Sequence, residues 1–147
     1  MVTGFDEIME RHGLEKIRTI GDGYMAAAGV PNARPDHAHA VADAAIDMIA
    51  FSRELSDRFG FPMRLLVGIN SGTVMAGVIG RKKFSYDVWG DPVNVASRME
   101  SQGIPGKIQV SPATYELLKD DFILEPRGRI SVKGKGEMET WFLIGRR

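Results

Sequence analysis

Phe84-Ser85-Tyr86-Asp87-Val88-Trp89-Gly90-Asp91-Pro92-Val93-Asn94-Val95-Ala96-Ser97-Arg98-Met99-Glu100 decides how this chain is read. Its aromatic lead-in breaks at Gly90. Asp91 follows where a helix N-cap belongs, and Pro92 takes the first helical position, where its missing N–H has no partner to lose. The helix so started carries Asn94 and Arg98 four residues apart, which sends both polar side chains off one face. Val93, Ala96 and Met99 form an apolar set for packing on another. The polar pair is either a solvated helix face, which spacing alone favours, or a holder for an anion such as a phosphate.

Upstream, Met63 to Asn70 reads as a strand through Leu65, Leu66, Val67 and Ile69. Ser71-Gly72 is a turn, and Thr73 to Ile79 is a second apolar strand, with Ala76 and Gly77 small enough for close approach. Arg81-Lys82-Lys83 is a basic tip, either a solvated loop or an arm reaching another chain. Asp36 is placed to cap a long helix to about Phe59, with Ala38, Val41, Ala45, Met48, Ile49 and Leu55 as its buried stripe and Gly60 closing it. His37 and His39 fall on different faces, and with His12 they read as surface residues rather than metal ligands. Nearer the N-terminus, Thr3 can cap a short helix with Phe5, Ile8 and Met9 on one side, ended by Gly13. Leu14 to Ile20 alternates, with Leu14, Lys16, Arg18 and Ile20 on one face and Glu15, Ile17 and Thr19 on the other. Gly21-Asp22-Gly23 is a turn signal and Tyr24 to Val30 can return. The prediction is a hairpin with Asp22 at its tip, where Asp usually serves the turn itself.

Downstream, Gly103 ends the opening helix and Lys107 to Val110 is a short strand. Ser111-Pro112 starts another helix by the same cap-plus-proline device, with Tyr115, Leu117 and Leu118 inside. Phe122 to Leu124 and Ile130 to Val132 read as short strands. Lys133-Gly134-Lys135-Gly136 links them to a last strand, Trp141 to Ile144. Its lysines are solvated turn charges or approach phosphates closely. Hairpins among the strands with helices between them predict an α+β domain with a mainly antiparallel sheet, not a doubly wound parallel one.

The chain's 147 residues suffice for one domain with a real core. Its 19 basic and 19 acidic residues balance, so no global field points to nucleic acid or a membrane surface. The absence of cysteine excludes disulfides and thiolate metal sites and fits a reducing, cytoplasmic setting. No apolar run approaches the ~20 residues of a membrane span, and the N-terminus does not read as a signal peptide.

Three separated segments resemble one family, the catalytic domain of class III nucleotidyl (adenylate and guanylate) cyclases. They are Lys16-Ile17-Arg18-Thr19-Ile20-Gly21-Asp22-Gly23-Tyr24-Met25, Val67 through Gly80, and Tyr86 through Ser101. Val132-Lys133-Gly134-Lys135-Gly136 followed by Thr140-Trp141-Phe142 is similar to the family's C-terminal signature. The likeness spans essentially the whole chain, and its nearest form is the bacterial homodimeric adenylate cyclase that resembles mammalian ones. It implies a ferredoxin-like α+β fold. It also implies attack of the ribose 3′-hydroxyl on the α-phosphate of ATP, giving cyclic AMP and pyrophosphate, with two divalent cations (Mg2+ or Mn2+) at a site shared between head-to-tail chains. By the same likeness Asp22 is a metal carboxylate, Arg18 and Asp87 read the base, Asn94 places the ribose, Arg98 meets the phosphate charge and Lys133 the triphosphate.

Two departures from the family pattern follow. Family domains open with a strand that carries a second metal-binding Asp ahead of the segment at Thr3. Nothing here matches that strand, and Asp6 lies on the helix before the hairpin. The expectation is therefore one catalytic domain over residues 1–147, incomplete at its N-terminus and weak or inactive alone. Second, the base-reading position is Arg18 where adenylate cyclases usually have Lys and guanylate cyclases Glu. Asp87 favours adenine, whereas Arg also donates well to guanine. The alternatives are a guanylate cyclase, a non-catalytic nucleotide-binding or regulatory half that completes a partner's site, or an inactive fold fragment with an exposed sheet edge.

Overall fold

A computed structural model describes residues 2–20, 23–29, 34–60, 65–72, 75–79, 85–132 and 134–147. In chain order the elements are α1 (Val2–Arg11), β1 (Glu15–Ile20), β2 (Gly23–Ala27), α2 (His37–Phe59), β3 (Val67–Ile69) and β4 (Met75–Ile79). They continue with β5 (Ser85–Trp89), α3 (Asp91–Ser101), β6 (Ile108–Val110), α4 (Pro112–Leu118), β7 (Phe122–Val132) and β8 (Gly136–Arg146). The α+β class and the mainly antiparallel pairing agree with the sequence reading. β1 pairs with β2 and β4 with β5, both antiparallel, and a four-stranded sheet runs β3-β6-β8-β7. Only β3 and β6 pair in parallel among the described strands.

α2 joins the layers because it is built from alanines. Ala38, Ala42, Ala45 and Ile49 pack with Ile69, Ile108, Val110, Leu118, Phe122 and Leu143 over the four-stranded sheet. Ala40 and Ala44 turn to a second cluster with Phe5, Ile8, Met9 and Leu14, against which Tyr24 and Ala26 of the β1–β2 hairpin also pack. Small side chains on two faces let one helix approach both neighbours closely. The buried set therefore contains three alanines beyond the expected stripe, Ala40, Ala42 and Ala44, while Val41 and Met48 are only partly buried.

Several local expectations need correction. α1 begins at Val2, so Thr3 lies inside it rather than capping it. Asp36 occupies the N-cap of α2 but makes no side-chain cap, because its carboxylate is held by Arg34 at 2.7 and 2.9 Å. In β1 the strict alternation fails: a register shift between Lys16 and Arg18 puts Leu14 and Ile17, three residues apart, both in the interior. The aromatic lead-in of the quoted stretch is itself a strand, β5, paired with β4. The short strands expected near the C-terminus are parts of one long hairpin, β7 and β8, of 11 residues each. Two of the three histidines, read from sequence as surface residues, tie separate elements together, and the third makes a local contact. His12 Nε2 meets Asp47 of α2 at 2.5 Å and His39 Nε2 meets Asp121 at 2.8 Å, while His37 Nδ1 lies 3.3 Å from the Arg34 carbonyl.

Candidate active site

α3 is the element that carries Asn94 and Arg98, and its seat is unusually close. A Cβ placed on Gly68 of β3 would lie 2.1 Å from the Glu100 amide nitrogen and 2.5 Å from the Met99 carbonyl carbon. Glycine is thus required for the strand to touch the helix backbone. The buried face of α3 is Val95 and Met99, packed on Ile130 and Val132, rather than the expected set of Val93, Ala96 and Met99. Asn94 and Arg98 stand one position before each buried residue and so run along the adjoining face. The N-cap is Gly90, one residue earlier than expected, with Asp91 in the first turn, where a carboxylate suits the positive end of the helix.

Polar bonds fix both ends of the helix. At the start, Asn70 Nδ2 donates to the Pro92 carbonyl at 3.0 Å, and Ser111 Oγ donates in turn to Asn70 Oδ1. Ser111 also caps α4, as its Ser-Pro signature predicted, accepting from the Thr114 amide. At the far end the wholly buried Gln109 donates from Nε2 to the Met99 carbonyl at 2.8 Å. None of Gly68, Asn70 or Gln109 was singled out from sequence. The one usable signal was Gln109 itself, a polar residue between Ile108 and Val110 in an apolar strand.

Asn94 and Arg98 open together on a cleft of about 480 Å³, lined also by Asp91, Ser97, Ser101 and Val132. Among the described residues nothing hydrogen-bonds or ion-pairs with the Arg98 side chain, so its guanidinium is available to a ligand in that cleft. Val132 brings the end of β7 to the cleft, and Lys135 in the following turn pairs with Asp91. Lys135 is thereby bound to α3, not a free turn charge. Lys133 lies outside the described residues, as does Asp22. The backbones of Arg18 and Asp87 stand in β1 and β5, which lie against each other. Asp87 pairs across the ladder with Gly77.

The hairpin that leads to Asp22 is tied to α1 by a mixed cluster. Tyr24 donates its hydroxyl to Asp6 Oδ1 at 2.5 Å, and Lys16 Nζ lies 3.3 Å from the same oxygen and 5.2 Å over the Tyr24 ring. Donation from Tyr24, joined by Lys16, holds the Asp6 carboxyl below the ordinary aspartate range. Burial, then the bond to Asp6, pushes the Tyr24 phenol up. Among the described residues no group of three His, Asp or Glu side chains comes together as a metal site. None of their helices is long and apolar enough to cross a membrane.

Comparison with known proteins identifies the domain. Residues 1–145 match the model of the adenylate and guanylate cyclase catalytic domain, and the chain belongs to that family. It is 56% identical to an adenylate cyclase of Mycobacterium tuberculosis over all of its 147 residues, which amount to 33% of that protein. The chain therefore spans about a third of the curated relative. Among solved structures it is similar to the guanylate cyclase domain of RhGC from Catenaria anguillulae in complex with GTP. The TM-score is 0.91 at 38% identity, over 99% of this chain and 80% of that one. It also resembles a non-canonical dimeric guanylyl cyclase domain from Blastocladiella emersonii, with TM-score 0.89 at 35% identity over 99% and 79% of the two chains. That fungal domain is known in a monomeric form as well.

Proposed function

We propose that this chain is the catalytic domain of an adenylate cyclase, a phosphorus–oxygen lyase that converts ATP to 3′,5′-cyclic AMP and pyrophosphate. The observation that carries the reading is the pair Asn94 and Arg98 on one cleft, with Arg98 unpaired among the described residues. The 3′-hydroxyl oxygen bonds to the α-phosphorus, the bond from that phosphorus to the β-phosphate oxygen breaks, and the hydroxyl proton passes to solvent. Asn94 orients the ribose so that its hydroxyl meets phosphorus in line. Arg98 stabilises charge gathering on the phosphoryl oxygens, a role in which a fixed donor typically contributes ~3–4 kcal/mol. Lys133 holds the triphosphate, and Arg18 and Asp87 read the adenine.

Asp22 is assigned a carboxylate for Mg2+ or Mn2+. When bound, the cation would supply charge that stabilises the attacking and leaving oxygens. The proposed working form is a cytoplasmic homodimer in which each site takes residues from both chains. The test is nucleotide turnover by the full-length protein. Cyclic AMP should form from ATP with a divalent cation, and Asp22→Ala and Asn94→Ala should each fall near background. Full activity in either variant would show that the residue's role is misassigned.

A second reading has specific support. Arg18 suits guanine as well as adenine, and the similar fungal domain was solved with GTP. Preferential formation of cyclic GMP in the same assay would replace the adenylate reading. If the full-length protein turned over neither nucleotide yet restored activity to an Asp22-type mutant of a cyclase partner, it would be a regulatory half.

A further inference from the structure

The β7–β8 hairpin contains a register shift between Pro126 and Gly128. Pro126 faces Trp141 and Gly128 faces Thr140, so Arg127 is the extra residue and has no cross-strand partner. The bulge depends on Gly128, whose φ of 123° lies where residues with a Cβ are strained. It is locked by Thr140, whose buried hydroxyl donates to the Gly128 carbonyl at 2.8 Å. Bulges re-aim a side chain, and this one aims a guanidinium at the end of α3.

Arg127 Nη1 donates to the Gln102 carbonyl at 2.5 Å and also to Gln109 Oε1. Gln109 passes the contact on, donating to the Met99 carbonyl, while Gln102 Nε2 donates to the Ser131 carbonyl at 2.7 Å. The guanidinium carbon rests over the buried Phe142 ring, 5.6 Å from its centre, a cation–π contact. Two C-terminal carbonyls of α3 are thus bound by one cation and one buried amide, at the end of the helix whose dipole favours positive charge. The contacts are remote in sequence from Arg98 but act on the turn that immediately follows it.

We infer that Arg127, presented by the β7 bulge and relayed through Gln109, is a positioning residue that holds the C-terminal turn of α3 and hence the placement of Arg98 on the nucleotide. This rests on the nucleotide-site reading above. Arg127 touches no substrate. Its effect on turnover must pass through Arg98, and that makes it separable from a general contribution to folding.

The experiment is a double-mutant cycle on nucleotide turnover in the full-length protein, using wild type, Arg127→Ala, Arg98→Ala and the double variant. Urea unfolding of each variant accompanies the cycle. Arg127→Ala is expected to lower kcat by about 10- to 100-fold, the scale of a displacement of about 1 Å, with KM changed less than about threefold. In the Arg98→Ala background the same substitution should lower kcat by less than about threefold. Arg127→Lys, which keeps a donor cation but not the planar guanidinium fork, should fall between wild type and Ala. It also serves as the test should Ala impair folding. An equal fold-loss in both backgrounds, or a full-activity Arg127→Ala, would overturn the inference while leaving the site intact. If Arg98→Ala itself left turnover unchanged, the nucleotide-site reading would be the one at fault.

Discussion

Replacing Gly68 with alanine tests whether β3 truly serves as the seat of the catalytic helix. The added Cβ would stand 2.1 Å from Glu100 N, 2.5 Å from Met99 C and 2.7 Å from Met99 Cβ, against ordinary contact at 3.4 Å and beyond. The two nearest atoms are main chain, so no rotamer change relieves the overlap. α3 must back away by about 1 Å or β3 must distort, and either response loosens Met99 and Val95 against Ile130 and Val132. Overpacking of this kind costs about 1–3 kcal/mol. The same retreat moves Asn94 and Arg98, and a misplacement of about 1 Å can lower turnover about 100-fold. Urea unfolding measures the first effect and nucleotide turnover by the full-length protein the second. A stability loss under about 0.5 kcal/mol, within the range of an ordinary surface change, with turnover within about twofold of wild type, would refute the proposed seating of α3 on β3.

Other outcomes follow from individual contacts. Asn94→Ala should reduce kcat by about 100-fold through lost ribose orientation, with unfolding unchanged within about 0.5 kcal/mol because Asn94 is exposed. Ser111→Ala removes the α4 cap and the donor to Asn70 together, and chemical denaturation should register about 1–2 kcal/mol. The Asp6–Tyr24 bond gives a pH signature. The Asp6 carboxyl is held below its ordinary 3.8, so its stabilisation is present above that pH and disappears as pH falls through the lower folded value. The Tyr24 phenol is raised above its ordinary 10.0, so its share is present below pH 10 and disappears as pH rises beyond. Tyr24→Phe should flatten both limbs of the stability–pH curve, and limbs that match wild type would remove the bond from the account.

What the sequence revealed about this fold was periodic or turn-encoded. The long α2, the Ser111-Pro112 start of α4, the β1–β2 hairpin and the α+β class all follow from local rules that act within a few residues. The errors lie where tertiary contacts decide. Asp36 looks like a cap until Arg34 takes its carboxylate, and the alternation through Leu14 and Ile17 breaks at a bulge that no local pattern announces. The full length of β7 exceeded the two short strands expected because the strand runs on through a bulge between Pro126 and Gly128, residues disfavoured in strand interiors. At the site, spacing alone put Asn94 and Arg98 on one face, and the family likeness supplied their roles. The supports for that face come from Gly68, Asn70, Gln109 and Arg127, each distant in sequence. Their importance depends on the helix lying close enough to touch.

In the proposed reaction the α3 cleft handles the nucleotide's phosphates through Arg98. This role is tested most directly by single-turnover conversion of ATP in full-length wild type and Arg98→Ala, at saturating nucleotide and divalent cation. The conversion rate should drop by about 100- to 1000-fold in Arg98→Ala, with unfolding midpoints that coincide. An Arg98→Ala protein that folds as wild type does and converts ATP at the wild-type rate would contradict it.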